Sequence, residues 1–171
     1  KNQLNLDDML FIYGARINAD LIQDKRAAEI PIITGYSGNI PQQSFFSWPY
    51  YPLILSDSKH DISKGLDAIR CEFTSSVDTI KNKIKKSILL HSSENSRVVP
   101  SPQRISLGIL KNPPKEEYFD NPNIPVAVLL EGNFESVFKN RIRPKTDGLD
   151  FRETGENAKM IVISDGDMIR N

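Results

Sequence analysis

The chain has 171 residues, 26% of them charged, with 22 basic and 22 acidic side chains. That length can bury roughly 70% of its unfolded surface and so fits one domain with a core. A formal net charge of zero removes the electrostatic case for nucleic acid or an anionic membrane surface as partner, and the single cysteine, Cys71, excludes an intrachain disulfide.

In chain order, residues 6–13 read as a short helix with Asp7 and Asp8 in the first turn and Gly14 as its stop. Residues 17–24 read as extended, and 29–35 as an apolar run with Pro31 near its start, the form of an edge strand. Gly38-Asn39 and the amides Gln42 and Gln43 signal a turn. Residues 44–52 then hold Phe45, Phe46, Trp48, Tyr50 and Tyr51, five of the fourteen aromatics, around Pro49 and Pro52. This segment reads as a loop. Trp48, Tyr50 and Tyr51 then either form a surface that stacks on a sugar or docks a partner, or fold into the core.

Residues 70–74 alternate as a half-buried strand does, with Cys71 as a packing residue rather than a nucleophile. The basic run of residues 81–86 reads as a solvated face. Residues 88–90 form an apolar strand ending at His91-Ser92-Ser93; residues 124–130 do the same before Glu131-Gly132-Asn133. Residues 112–125 make a Pro-rich surface loop, 135–141 a helical turn, and 143–157 a mobile loop. The last stretch, Met160-Ile161-Val162-Ile163, reads as a buried strand that stops at Ser164-Asp165-Gly166-Asp167. Both ends look like cuts through a longer protein.

Apolar strands closed by polar loops predict an α/β or α+β domain over residues 1–171, with a crevice outside the strand carboxyl ends. Glu131, Asp165 and Asp167, with Asn133 and His91, are the candidate ligand-binding residues there: carboxylates brought together at strand ends hold a divalent cation or accept from sugar hydroxyls. The competing reading makes Asp165 and Asp167 turn or capping residues and pairs Glu131 with Arg141 or Arg143. The sequence carries no phosphate-binding P-loop, no Gly-x-Gly-x-x-Gly, no Gly-x-Ser-x-Gly and no cysteine pair for zinc.

Three groups of stretches bear a family resemblance. They are Ile40-Pro41-Gln42 with Trp48-Pro49-Tyr50-Tyr51-Pro52-Leu53, Pro125 through Phe134 with Phe138-Lys139-Asn140-Arg141, and Ile161-Val162-Ile163-Ser164-Asp165-Gly166-Asp167. Together they resemble the GldG family, the auxiliary component of ABC transporters linked to gliding motility. The resemblance implies a parent protein anchored by membrane segments outside this stretch. Its globular part would lie on the periplasmic face of the inner membrane, beside a separate ATPase and an ABC permease. It also implies an amidotransferase-like or flavodoxin-like α/β relative with a mainly parallel or mixed sheet and short flanking helices. Kinship with an intraflagellar-transport subunit adds the expectation of a glycan ligand. Cys71 lies inside a strand-like run rather than at a strand-to-helix elbow, so the expectation is a non-catalytic module that needs no cofactor and binds a partner protein or a glycan. The alternative is a hydrolase of sugar or acyl substrates at the strand-end crevice.

Overall fold

A computed structural model describes residues 6–57, 59–142 and 150–169. Helix α1 (Asp7–Tyr13) ends where Gly14 adopts φ 99° and donates its N–H to the carbonyls of Leu10 and Phe11, the left-handed stop the sequence predicts. A side chain on Gly14 would also collide with the Lys86 stem at 2.5 Å. Ten strands follow: β1 (Ala15–Ile17), β2 (Asp20–Asp24), β3 (Ala27–Ser37), β4 (Ile40–Ser56), β5 (Ile69–Arg70), β6 (Val77–Thr79), β7 (Lys85–His91), β8 (Ser96–Pro100), β9 (Pro125–Gly132) and β10 (Ala158–Ile163).

Six strands form one sheet in the order β10-β9-β7-β4-β3, with β5 beside β4; β1-β6 and β2-β8 are two-stranded. Every ladder is antiparallel. The parallel or mixed α/β sheet expected from the sequence, amidotransferase-like or flavodoxin-like, is therefore overturned: the chain is mostly β, with one α-helix among the described residues, and its main sheet curls into an antiparallel half-barrel. A parallel sheet needs a crossover of a dozen or more residues, usually a helix, between neighbours. Among the described residues, the connections are hairpins and irregular loops.

The core is organised by β9, whose residues Val126 to Leu130 are all buried. Its side chains divide between two clusters. Val126, Ala127 and Leu129 pack with Ile22, Ile54, Leu89 and Leu90, while Val128 and Leu130 pack with Tyr13, Val77, Ile84 and Phe134. The continuous apolar run thus does reflect burial on both faces; it does not encode strand direction.

Two further expectations change. The run Met160 to Ile163 is not a buried central strand: β10 is the outer strand against β9 alone, and Ile161 is 46% exposed. The aromatic segment is not a loop but the middle of the 17-residue strand β4. From Trp48 to Ile54 alternate residues Trp48, Tyr50, Pro52 and Ile54 are buried, the period of a strand with one face on the core. From Ile40 to Ser47, β4 pairs only with β3, and the two make an exposed ribbon closed by Gly38-Asn39. The turn there is the two-residue hairpin connection that a positive φ at Gly38 (62°) permits.

Because Trp48 is 4% exposed, its fluorescence should be blue-shifted and poorly quenched by acrylamide in the native protein and should become quenchable on unfolding. Ile54→Ala, at a site closed on all sides, should cost about 2–5 kcal/mol in urea unfolding, whereas Ile161→Ala on the outer strand should cost under about 1 kcal/mol.

Candidate functional site

The sheet separates the expected binding residues into two groups. In the β9–β10 ladder Lys159 faces Glu131 and Ile163 faces Ala127, so Glu131 and Asp165 stand at opposite ends, roughly 15 Å or more apart at about 3.4 Å per residue. Asn133 follows Glu131 at one end. His91, paired with Pro125, belongs with Asp165 and Asp167 at the other. In a parallel sheet the carboxyl ends of β9 and β10 would meet; the antiparallel register reverses one of them.

At the Asp165 end the polar groups are engaged in support. Asp165 is buried, accepts the Glu72 N–H at 2.9 Å through Oδ2, and caps the following 3-10 turn (Asp167–Ile169) by accepting the Asp167 N–H at 2.8 Å through Oδ1. Its charge and burial together push the Cys71 thiol well above the usual range, burial being the larger cause; a thiol so raised stays protonated and unreactive. The hydroxyl of Ser164 donates to the Ser75 carbonyl at 2.6 Å and its N–H to the Val126 carbonyl. His91 Nδ1 lies 2.7 Å from the Ser92 carbonyl. The Ser92 hydroxyl is shared with Ser96 at 2.6 Å and accepts the Ile124 N–H.

The buried Asp24 was not legible as a polar centre in the sequence. It accepts from the Ser93 N–H at 2.7 Å, the Ser93 hydroxyl at 2.6 Å and the Arg26 N–H at 2.8 Å, tying the end of β2 to the loop after β7. An acidic residue followed by basic ones looks like any surface turn; only the fold brings Ser93 over it.

At the other end Glu131 is flanked by its cross-strand partners. Lys159 and Lys85 reach its carboxylate at 2.8 and 3.1 Å, and hydrogen bonds from these two ammonium groups pull its pKa down to about 2. Cross-strand neighbours rather than Arg141 make these pairs; Arg143 lies outside the described residues. The alternation of the two strands is the signal that identifies them, once β9 is known to sit between β7 and β10. A shallow cleft of about 260 Å³ opens among Lys85, Glu131, Asn157 and Lys159. On the other side of the β9 terminus, a cleft of about 210 Å³ is lined by Ile12, Tyr13, Asn82, Ile84, Asn133 and Phe134. Asn133 Oδ1 accepts the Asn157 N–H at 2.9 Å. Of the stretch expected to be a mobile loop, residues 143–149 lie outside the described residues; beyond them Thr154 bridges to Glu135 and Gly155 donates to the Phe134 carbonyl at 2.8 Å.

The aromatic residues lie elsewhere. Trp48 and Tyr50 are 4% and 2% exposed; their rings pack together at 5.6 Å, and Gln103 donates to the Tyr50 hydroxyl at 2.9 Å. Tyr51 is half-buried, with the Arg70 guanidinium 4.8 Å from its ring centroid and Phe73 edge-on at 5.3 Å. A stacking platform needs an open ring face, and these faces are occupied by the protein itself.

Both clefts fall below the 300–1,000 Å³ usual for small-molecule sites. Among the described residues no group of three or more His, Cys, Asp or Glu is placed to hold a metal ion, and no helix is long and apolar enough to cross a membrane. The model of the family described as an ABC-type uncharacterized transport system matches residues 1–171. The chain belongs to that family. The family is one of auxiliary components of ABC-type transport systems. Two curated proteins are also similar to it. The ribosomal RNA small subunit methyltransferase H of Mycoplasma capricolum subsp. capricolum is 24% identical over 173 residues, covering 95% of this chain and 53% of that protein. The protein of the same description from Mesoplasma florum is 24% identical over 115 residues, covering 64% of this chain and 37% of that protein. The chain therefore spans about half or less of the length of these curated relatives. No solved structure matches.

The pKa of Glu131 is depressed from 4.5 to about 2, so the stability its ion pairs contribute is complete above pH 4.5 and is lost as the pH falls through about 2. Glu131→Gln should flatten that part of the acid-unfolding curve, and a carboxyl titration by NMR at low salt should place the Glu131 midpoint well below the ordinary glutamate value of 4.5. Asp165→Ala leaves two backbone N–H groups without their acceptor and should cost about 1–3 kcal/mol, with Cys71 becoming quicker to alkylate as the carboxylate beside it is removed.

Proposed function

We propose that the domain is a non-catalytic, extracytoplasmic module of a gliding-associated ABC transport system, anchored through segments outside this stretch. It binds a partner protein or a glycan at the β9 end of the sheet. The observation that carries this reading is the division of labour between the two ends. The Asp165 end uses the Asp165 carboxylate, its hydroxyls and the His91 imidazole as internal hydrogen-bonding groups. The β9 end presents amides and lysines, Asn133, Asn157, Lys85 and Lys159, beside two shallow clefts. Amides and ammonium groups recognise hydroxyls and backbone carbonyls without doing chemistry on them. Clefts of this size suit a sugar or the side chains of a docked peptide better than an enclosed substrate. Membership of the transport family supports the permease and the separate ATPase subunit as the assembly in which this end is used.

The methyltransferase likeness favours no second reading. The activity in those relatives' description needs a methyl donor and an RNA. The formal charge of zero here is not that of an RNA-binding domain, whose affinity comes mainly from phosphate neutralisation, and an all-antiparallel main sheet has no switch point for a nucleotide-like donor.

The test is co-purification of the full-length protein with its permease and ATPase, alongside a thermal-shift screen of the domain against a glycan panel. Asn133→Arg, which fills the smaller cleft at an exposed position, should reduce recovery of the permease at least tenfold or abolish a glycan-dependent rise in Tm. Wild-type-like recovery and no glycan shift in either protein would overturn the assignment of this end as the binding surface.

A further inference from the structure

Residues 103–112, between β8 and the Pro-rich loop, pack on the buried half of β4. Ile109 and Leu110, in a 3-10 turn (Leu107–Leu110), lie against the cluster of Trp48, Tyr50 and Val99. The Gly108 carbonyl accepts the N–H groups of Lys111 and Asn112 at 3.1 and 3.0 Å, so the segment is held in shape as well as in place. A cleft of about 290 Å³ remains between it and the strand, larger than either cleft at the β9 end. Tyr50, Gln103, Arg104, Ser106, Ile109 and Asn112 line it.

Three hydrogen-bond donors in this lining are unused. Tyr50 is 2% exposed, and its ring is held between Trp48 and Phe73, with centroids at 5.6 and 6.0 Å. Its hydroxyl oxygen accepts from Gln103 Nε2 at 2.9 Å, while its proton meets no acceptor among the described residues. A buried donor without an acceptor is costly. The Arg104 guanidinium pairs with no carboxylate, and the Asn112 side-chain amide has no hydrogen-bond partner, among the described residues. Nor does any described carboxylate line the cleft.

We infer that this cleft binds a carboxylate, with the Arg104 fork on its two oxygens and the Tyr50 hydroxyl and Asn112 amide donating to the lone pairs that remain. The donor set selects the ligand. One guanidinium balances one negative charge, and its planar fork matches the two oxygens of a carboxylate. A phosphate dianion calls for a second cation, and no other described cation lines the cleft. Ile109 gives the carbon chain of the acid an apolar wall, and the volume suits a short acid or the end of a peptide rather than a larger molecule. The cleft shares no lining residue with those at the β9 end, so the inference does not rest on the ligand reading above.

The probes are propionate, N-acetyl-trialanine with a free terminal carboxylate, and the same peptide ending in a carboxamide, each titrated at fixed ionic strength into isotope-labelled protein and followed by NMR. Propionate should shift the Arg104 Nε–H and Asn112 side-chain amide signals saturably, where sodium chloride does not. Arg104→Gln, at an exposed position, should weaken binding at least about tenfold, as expected for a lost charge-assisted pair. Tyr50→Phe keeps the ring, removes the proton and should weaken it at least about threefold. If Tyr50→Phe loses the native spectrum, Asn112→Leu at an exposed position carries the same expectation. A free-carboxylate peptide that binds more tightly than propionate assigns the site to a chain terminus; equal or weaker binding assigns it to a small free acid. The inference is overturned if neither carboxylate gives a saturable shift up to about 100 mM. It is overturned equally if the carboxamide peptide binds as well as the carboxylate, or if Arg104→Gln and Tyr50→Phe leave the affinities unchanged.

Discussion

Burial of β9 on both faces is the constraint on which the rest of the structure depends. A strand with five consecutive buried residues loses far more in water than any surface ion pair can return, at about 25 cal/mol for each Å² of apolar area. It must therefore be enclosed. On one face β2, β4 and β7 supply Ile22, Ile54, Leu89 and Leu90; on the other, the helix, β6, the residue just before β7 and the residues after β9 supply Tyr13, Val77, Ile84 and Phe134. The helix has one buried residue of its own, Tyr13, and its role is to place that ring edge-on against Phe134 at 4.9 Å. Helix α1, its glycine stop and the first strands are positioned by the need to cover one side of β9.

The polar interior follows from the same enclosure. Wrapping loops around a central strand buries backbone groups that have no ladder partner, and each must find one. Asp24, Asp20, Ser92, Ser96 and Ser164 meet that need with short bonds to backbone N–H and carbonyl groups. Residues of these types in a loop resemble catalytic or metal-binding sets when read in one dimension, because loop closure and acid–base chemistry draw on the same functional groups. What separates the two uses is whether the lone pairs and protons remain available. At the Asp165 end they are spent on the protein, and Cys71 beside them is held protonated by burial. At the β9 end, Lys85 and Lys159 stay largely exposed around Glu131, so charge and amide groups face solvent and any partner that approaches.

The division between buried and open surface along β4 shows how one strand serves two purposes. Its second half is an ordinary core strand, with Trp48, Tyr50, Pro52 and Ile54 turned inward. Its first half leaves the core and is matched only by β3. Aromatic density in the sequence marked the whole segment as unusual. The tertiary structure assigns its parts differently: Trp48 and Tyr50 to packing, Phe45 to the open face.

By itself the sequence determined the pieces that depend on neighbours a few residues away. The helix over residues 7–13 and its Gly14 stop follow from local capping; the turn at Gly38-Asn39 follows from residues that tolerate positive φ; and the buried run of β9 follows from hydrophobicity alone. Kinship with the auxiliary proteins of ABC-type transport was also legible, and the model of that transport family covers the whole chain. Only the tertiary structure decided strand direction, order and register. A parallel and an antiparallel strand bury the same apolar side chains and differ in which ends meet, a property of partners distant in the chain. That one undetermined choice moved Glu131 away from Asp165 and set it between Lys85 and Lys159. It also left the strand at Met160, read as buried on both faces, on the outside of the sheet, because the place of a strand in a sheet is set by the strands that pair with it and not by its own composition.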